Sequence, residues 1–191
     1  VAESVYRERV GQWLNTDAQR QALLQTAARL ALPDWCLAAG FVRNLVWDKL
    51  HGYRRNTPLN DVDLVYFDAS NVCANRDRAC EEYLHKKLPA RWSVKNQARM
   101  HRRNGDSPYL SSEDALSHWV ELETAVGVRR CAAGLQFVAP FGLAPLFAKT
   151  ITLNPKCRNS QIFMARVEQK KWRELWPQLR LAGLPDSGGL A

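Results

Sequence analysis

The sequence predicts an α+β fold built on a mixed β-sheet, and three observations carry that reading. Segments with apolar residues at helical spacing alternate with short runs rich in β-formers. Those runs are only partly separated by helices, as "LETAVGVRR" followed closely by "LQFVAP" shows, so a purely parallel, doubly wound sheet is not expected. The third is size and composition. A chain of 191 residues, 46% hydrophobic and 24% charged, suits one well-buried domain over residues 1–185 and a loose, flexible tail over 186–191.

The elements follow in order. "SVYRERVGQWL" places Val5, Val10, Trp13 and Leu14 at near-helical spacing. "TDAQ" has the form of a capping box, with Thr16 accepting from the backbone and Gln19 reaching back. A helix through "RQALLQTAARLA" then stops near Pro33. "DWCLAAG" is a short apolar run closed by glycine, a buried strand with a tight exit. "FVRNLVWDKLHG" resumes the helical period with Phe41, Val42, Leu45, Val46 and Leu50, and ends at Gly52. "YRRNTPLN" is a basic, proline-bearing loop, and "DVDLVYF" is a strand.

"NRDRACEEYLHKKL" is an amphipathic helix, and "RWSVKNQARM" reads as a strand on which Lys95 and Arg99 share a face. "RRNGDSPY" is a loop, followed by a helix from Ser112 to about Trp119. "LETAVGVRR" and "LQFVAP" form a hairpin around "CAAG". "FMARVEQKKWRELWPQLRL" is a long helix with Trp172 and Trp176 on one face. The longest apolar stretch, "LQFVAPFGLAPLFA", is broken by Pro140, Gly142 and Pro145. It reads as strand, turn and short helix, not as a membrane span.

Charge and thiols narrow the function classes. A formal net charge of +8 favours nucleic acid, nucleotide phosphates or anionic surfaces as partners, against the plainer reading of a basic soluble protein. The five cysteines are dispersed and odd in number, with no C-x-x-C pair and no histidine at zinc-finger spacing. Reduced thiols in a cytoplasmic protein are the expectation. No signal peptide is legible, and a chain that opens on Val1 without methionine reads as trimmed.

The chemistry concentrates in "DVDLVYF". Side chains at i and i+2 of a strand share a face with roots about 6.6 Å apart, so Asp61 and Asp63 project together while Val62 and Leu64 face away. Two like charges about 4 Å apart repel by about 4 kcal/mol at an effective dielectric of about 20. Either both point into water or a cation lies between them. Paired carboxylates can hold magnesium or manganese, whose remaining oxygen ligands come from substrate phosphates and water. Alone, D-x-D is a weak signal, because an exposed strand end explains it as well.

The upstream "AAGFVRN" adds a second feature. A strand ends and a helix begins at Gly40, so free backbone N–H groups and the helix dipole converge there. Glycine admits a phosphate close to the backbone, and Arg43 in the first helical turn adds charge. A phosphate cradle beside a metal-binding carboxylate pair is what transfer of a nucleotide from an NTP requires.

"AGFVRN", "LHG" and "PLNDVDLVYFD" resemble the glycine-glycine-x-x-arginine-aspartate and D-x-D signature of tRNA nucleotidyltransferases and poly(A) polymerases. With "VKNQARMH", "ETAVGVRR", "APFGLAPLF" and "KKWRELWPQL" in the same order, most of the chain resembles a bacterial nucleotidyltransferase-like family of the polymerase-β-like superfamily. The resemblance implies that superfamily's fold, a mixed sheet flanked by helices. It also implies an NTP substrate, Asp61 and Asp63 as catalytic metal ligands, and Gly40, Arg43 and Asn44 at the triphosphate. The acceptor it leaves open, RNA or another polyanion being candidates, together with the oligomeric state.

Two departures stand out. The usual glycine pair is here Ala39-Gly40, and the strand expected to bear a third carboxylate offers Lys95, Asn96 and Gln97 instead. Glu123, expected at the head of the next strand, is the candidate substitute, against the ordinary reading of a boundary glutamate as solvated. A fold of this kind that binds nucleotide or RNA with weak or no turnover is the alternative. Arg54, Arg55, Arg102 and Arg103 lie in two loops and suit either a polyanionic acceptor or plain solvation. Trp47, Trp92, Trp119, Trp172 and Trp176 read as core in preference to base-stacking platforms, and His101 as a structural hydrogen-bonder in preference to an acid or base.

Overall fold

The computed structural model describes residues 1–157 and 159–184. The tail expected at 186–191 lies outside them. Helix α1 (Glu3–Thr16) buries Val10 and Leu14, and α2 (Ala18–Ala28) buries Leu23, Leu24 and Ala27. The cap of α2 is Asp17, whose carboxylate accepts from the Arg20 amide at 2.9 Å. This corrects the expected Thr16 capping box. Thr16 still belongs to α1, and its hydroxyl donates back to the Gln12 and Trp13 carbonyls.

Strand β1 (Cys36–Ala38) leads into α3 (Gly40–Leu50), and β2 (Val62–Tyr66) precedes α4 (Ala74–Lys87). Strand β3 (Trp92–Asn96) ends earlier than expected, because Gln97–Arg99 turn into a single 3-10 turn. Asn96 forces that exit: its side-chain oxygen accepts from the Asp68 and Ala98 amides, and its amide donates to the Asp68 and Asn71 carbonyls. Lys95 and Arg99 therefore do not share a strand face. Lys95 pairs with Glu81 and Arg99 with the buried Asp77. The expected loop at "RRNG" carries one helical turn, α5 (His101–Asn104), stopped by Gly105 at φ 74°.

Helix α6 (Ser112–Leu116) is capped by Ser111, and the hairpin β4 (Gly127–Cys131) and β5 (Gly134–Val138) forms as its alternation predicts. A short α7 (Ala144–Phe147) follows. Strands β6 (Thr150–Thr152) and β7 (Arg180–Ala182), absent from the sequence reading, pair in parallel. Between them the expected long helix is two: α8 (Ser160–Lys170) and α9 (Trp172–Leu175), broken where Lys171 takes φ 52°.

The main sheet has strand order β3-β2-β1-β4-β5, with β2 and β3 parallel and the other pairs antiparallel, so it is mixed. Alternation sorts its two faces. Leu37, Val62, Leu64, Val94 and Val128 pack with the helices into the principal core. On the opposite face Cys36, Ala38, Val65 and Val138 meet Leu116 and Ala125 in a small cluster. A third cluster gathers Trp47 of α3 with Ile151, Phe163, Trp172, Trp176 and Leu179, which fixes α8 and α9 beside α3. Burial of so many large apolar groups, each contributing about 1.5–3 kcal/mol, makes that junction firm.

Candidate active site

The exit of β1 is the first component. Ala38 lies opposite Asp63 of β2 and Gly127 of β4, so the chain leaves the centre of the sheet at this point. Ala39 reverses it with φ 55° and ψ −122°, a conformation that glycine adopts freely and alanine does not. Its amide is tied to the Val126 carbonyl at 2.9 Å, and its own carbonyl accepts from Val42 and Arg43 to open α3. No side chain caps that helix, so its leading N–H groups are available to an anion. A methyl group on Gly40 would come within 3.3 Å of the Asn44 amide and 3.5 Å of the Arg43 guanidinium. Glycine keeps this corner open.

Arg43 is the second component. Its guanidinium carbon lies 4.6 Å from the Trp172 ring centre and 5.1 Å from that of Trp47. Nη1 donates to Thr124 Oγ1 at 2.7 Å and Nη2 to Asn44 Oδ1 at 3.0 Å, while the buried Nε meets no partner among the described residues. Burial lowers its pKa to about 10, against the pull of Glu121, so it remains charged at neutral pH. A cation held by neutral partners and aromatic faces keeps its field for a ligand.

The third component is the carboxylate pair. Asp61 is exposed just ahead of β2, and Asp63 is half-buried on it, opposite Ser93 of β3. Both line a single cleft of about 1550 Å³ that also exposes Gly40, Arg43 and Asn44. Burial first, and the Asp61 charge second, push the Asp63 carboxyl above its usual range, while Ser93, Arg43 and Lys170 pull it down. Such a pair is stabilised by a divalent cation, and two hard oxygen donors open to a cleft fit magnesium or manganese. Among the described residues no third histidine, cysteine or acid joins them in a group able to hold a metal.

Glu123 is placed elsewhere. It sits in a turn four residues ahead of β4, not at a strand head, and is fully buried. One oxygen accepts from the Thr150 and Thr152 hydroxyls at 2.9 and 2.7 Å, the other from the Thr152 amide at 2.8 Å. Desolvation pushes its carboxyl upward. Those bonds clamp β6 to the turn, and Glu123 does not line the cleft that Asp61 and Asp63 share. The geometry brings five of the six expected site residues into one cleft and leaves Glu123 behind it.

Other residues in and behind the cleft were missed from sequence. The fully buried Asp48 accepts from the Thr57 amide and hydroxyl at 2.7 and 2.6 Å and from the Trp176 indole at 2.8 Å. It thereby ties the loop that delivers Asp61 to α3 and to the chain beyond α9. Arg166 and Lys170 of α8 line the wall facing the carboxylates, Arg166 being held by both oxygens of Glu121 at 2.6 and 3.2 Å. The basic face of "RVEQKK" was the available signal. Of the loop arginines, Arg103 lines the cleft, whereas Arg54, Arg55 and Arg102 are exposed outside it. His101 Nδ1 is buried without a partner among the described residues, and the ring packs edge-on to Tyr109 at 6.1 Å.

Known proteins share this fold. A chain solved by NMR and described as a CCA-adding enzyme head domain superposes with a TM-score of 0.80 at 28% identity, over 91% of this chain and 94% of its own. A CCA-adding enzyme in complex with CTP matches at a TM-score of 0.57 and 15% identity, over 90% of this chain. A tRNA-processing enzyme complex matches at 0.52 and 15%, over 83%. The chain spans 43% and 42% of the length of the last two, which share its fold. No curated protein matches. The glycine corner, the buried arginine and the carboxylate pair all fall within residues 25–181, which match the sequence model of the nucleotidyltransferases, and the chain belongs to that family.

Proposed function

We propose that the protein is a metal-dependent nucleotidyltransferase that moves a nucleotide from an NTP to an acceptor, with RNA or another polyanion as the acceptor class. One observation carries the reading. Asp63 is paired across the sheet with Ala38, so the carboxylate pair and the uncapped head of α3 open into the same basic cleft. Asp61 and Asp63 would hold magnesium or manganese, which when bound neutralises phosphate charge and activates an oxygen nucleophile. Gly40 gives the triphosphate access to the backbone amides, Asn44 orients Arg43, and Arg43 supplies the buried positive charge. Arg166 and Lys170 add positive field from the opposite wall. The CTP complex of a CCA-adding enzyme and the tRNA-processing enzymes of the same fold make an NTP and RNA reasonable ligands.

The five cysteines are unpaired, and among the described residues no helix is long and apolar enough to cross a membrane. Both fit a cytoplasmic protein.

A second reading has its own support. With Glu123 committed to Thr150 and Thr152, no third acid joins Asp61 and Asp63 in a metal-holding group among the described residues, and a nucleotide-binding protein with slow or absent transfer needs none. Release of pyrophosphate from each α-labelled NTP, in magnesium and in manganese, with total RNA as acceptor, tests the two. Metal-dependent release supports the transferase. Tight metal–NTP binding without release assigns the protein to the binding class, and neither binding nor release removes both.

A further inference from the structure

We infer that Trp119 is the platform on which the nucleobase of the bound nucleotide stacks, an inference that rests on the nucleotide reading above. Of the seven tryptophans, Trp35, Trp47, Trp92, Trp172 and Trp176 are each 9% exposed or less. Trp13 lies on α1 against Phe147, with ring centres 5.9 Å apart. Trp119 alone is both half-exposed and part of the cleft wall. The expectation that it is core holds for its back only, which packs against the cluster of Cys36, Ala38, Val65, Leu116 and Ala125.

Its position relative to the phosphate end follows from the strand. Val65 is two residues beyond Asp63 on β2 and on the same face, about 6.6 Å further along. The ring packed against that cluster therefore lies on the carboxylate face of the sheet, the face that carries Ala38, Asp63 and Val65. A nucleotide with its triphosphate at Gly40 and Asp63 would lay its base along the same cleft, whose wall includes Trp119. The platform is also rigid. The fully buried Asn154 donates its side-chain amide to the Ser117 and Trp119 carbonyls at 2.8 and 2.7 Å, and its backbone amide to the Val120 carbonyl at 2.9 Å. A ring fixed before the ligand arrives loses little freedom on binding. Every base offers a π-face, so stacking of this kind raises affinity for all four nucleotides, and most for the larger purines.

The test compares the protein with Trp119→Leu and Trp119→Phe, titrating magnesium with ATP, with CTP and with inorganic tripolyphosphate by calorimetry. Trp119→Leu is expected to weaken ATP by about tenfold or more and CTP by less, with tripolyphosphate unchanged and Trp119→Phe close to wild type. Nucleotide-induced quenching of tryptophan emission should also fall in Trp119→Phe, a readout that does not need the leucine variant to fold. Unchanged ATP affinity in Trp119→Leu, an equal loss for tripolyphosphate, or unchanged quenching in Trp119→Phe overturns the platform alone. A wild-type protein that binds neither ATP nor tripolyphosphate overturns the nucleotide reading and the platform with it.

Discussion

Arg43 donates to the hydroxyl of Thr124 at 2.7 Å, and among the described residues none of its hydrogen bonds goes to a carboxylate. Glu121, the acid that most raises the pKa of Arg43, is itself spent on Arg166. The charge at the head of α3 is therefore free to meet an anion. Magnesium–ATP at about 100 times its dissociation constant should stabilise the protein by about 2.7 kcal/mol, or roughly 5–10 °C in melting temperature. Arg43→Gln keeps a polar side chain at Thr124 but removes the charge, and should abolish most of that rise. A variant that retains the full ligand-induced shift would leave Arg43 as packing for Trp47 and Trp172.

Asp61→Asn and Asp63→Asn should each remove the magnesium-dependent part of ATP binding while leaving the fold unchanged or slightly more stable. The sign follows from Asp63, whose carboxyl is pushed upward by burial and by the Asp61 charge, so the ionised pair is unfavourable without a cation. Calorimetric titration with and without magnesium reads the first effect, and urea unfolding the second. A sharp fall in stability would make the acids structural.

The site was legible in the sequence wherever local geometry alone determines it. The two-residue period placed Asp61 and Asp63 opposite Val62 and Leu64, and a strand closed by glycine placed Gly40 and Arg43 at a helix head. What was not legible depends on contacts distant in sequence. Glu123 reads as a boundary acid until Thr150 and Thr152, 27 and 29 residues later, take up its oxygens. The break at Lys171 is invisible to periodicity, since nothing local requires φ 52° there. It follows from packing Trp172 and Trp176 against Trp47, more than a hundred residues away. The Ala39 turn shows the reverse: the alanine keeps the glycine-like conformation, because the Val126 carbonyl and the head of α3 hold it from both sides.

Asp48→Asn tests how the carboxylate pair is delivered. An amide at this position keeps the shape but turns an N–H₂ group toward donors from Thr57 or Trp176. Leaving one such buried donor unpaired should lower stability by about 1–3 kcal/mol, measured by urea unfolding. The loop from Tyr53 to Asn60 would lose its anchor, so magnesium–ATP affinity per folded molecule should fall too. Reduced stability with unchanged affinity would show that other contacts position Asp61.

Glu123→Gln separates a structural acid from a catalytic one. The carboxylate accepts three hydrogen bonds from β6, and glutamine can reproduce only part of that set. Stability at neutral pH should fall by about 1–3 kcal/mol, while magnesium–ATP affinity stays within about twofold of wild type. The pH dependence supplies an independent check. Desolvation raises the folded-state pKa of Glu123 above the unfolded value of about 4.3. The folded protein then binds this proton more readily than the unfolded chain does. The resulting stabilisation is complete below the unfolded value and is lost as pH rises through the folded one. Urea midpoints measured from neutral pH down toward pH ~4.3 should therefore widen the gap between wild type and Glu123→Gln as the pH falls. A constant gap would remove the buried-acid account of Glu123. Loss of magnesium–ATP binding or of pyrophosphate release in a stably folded Glu123→Gln protein would return the residue to the catalytic site.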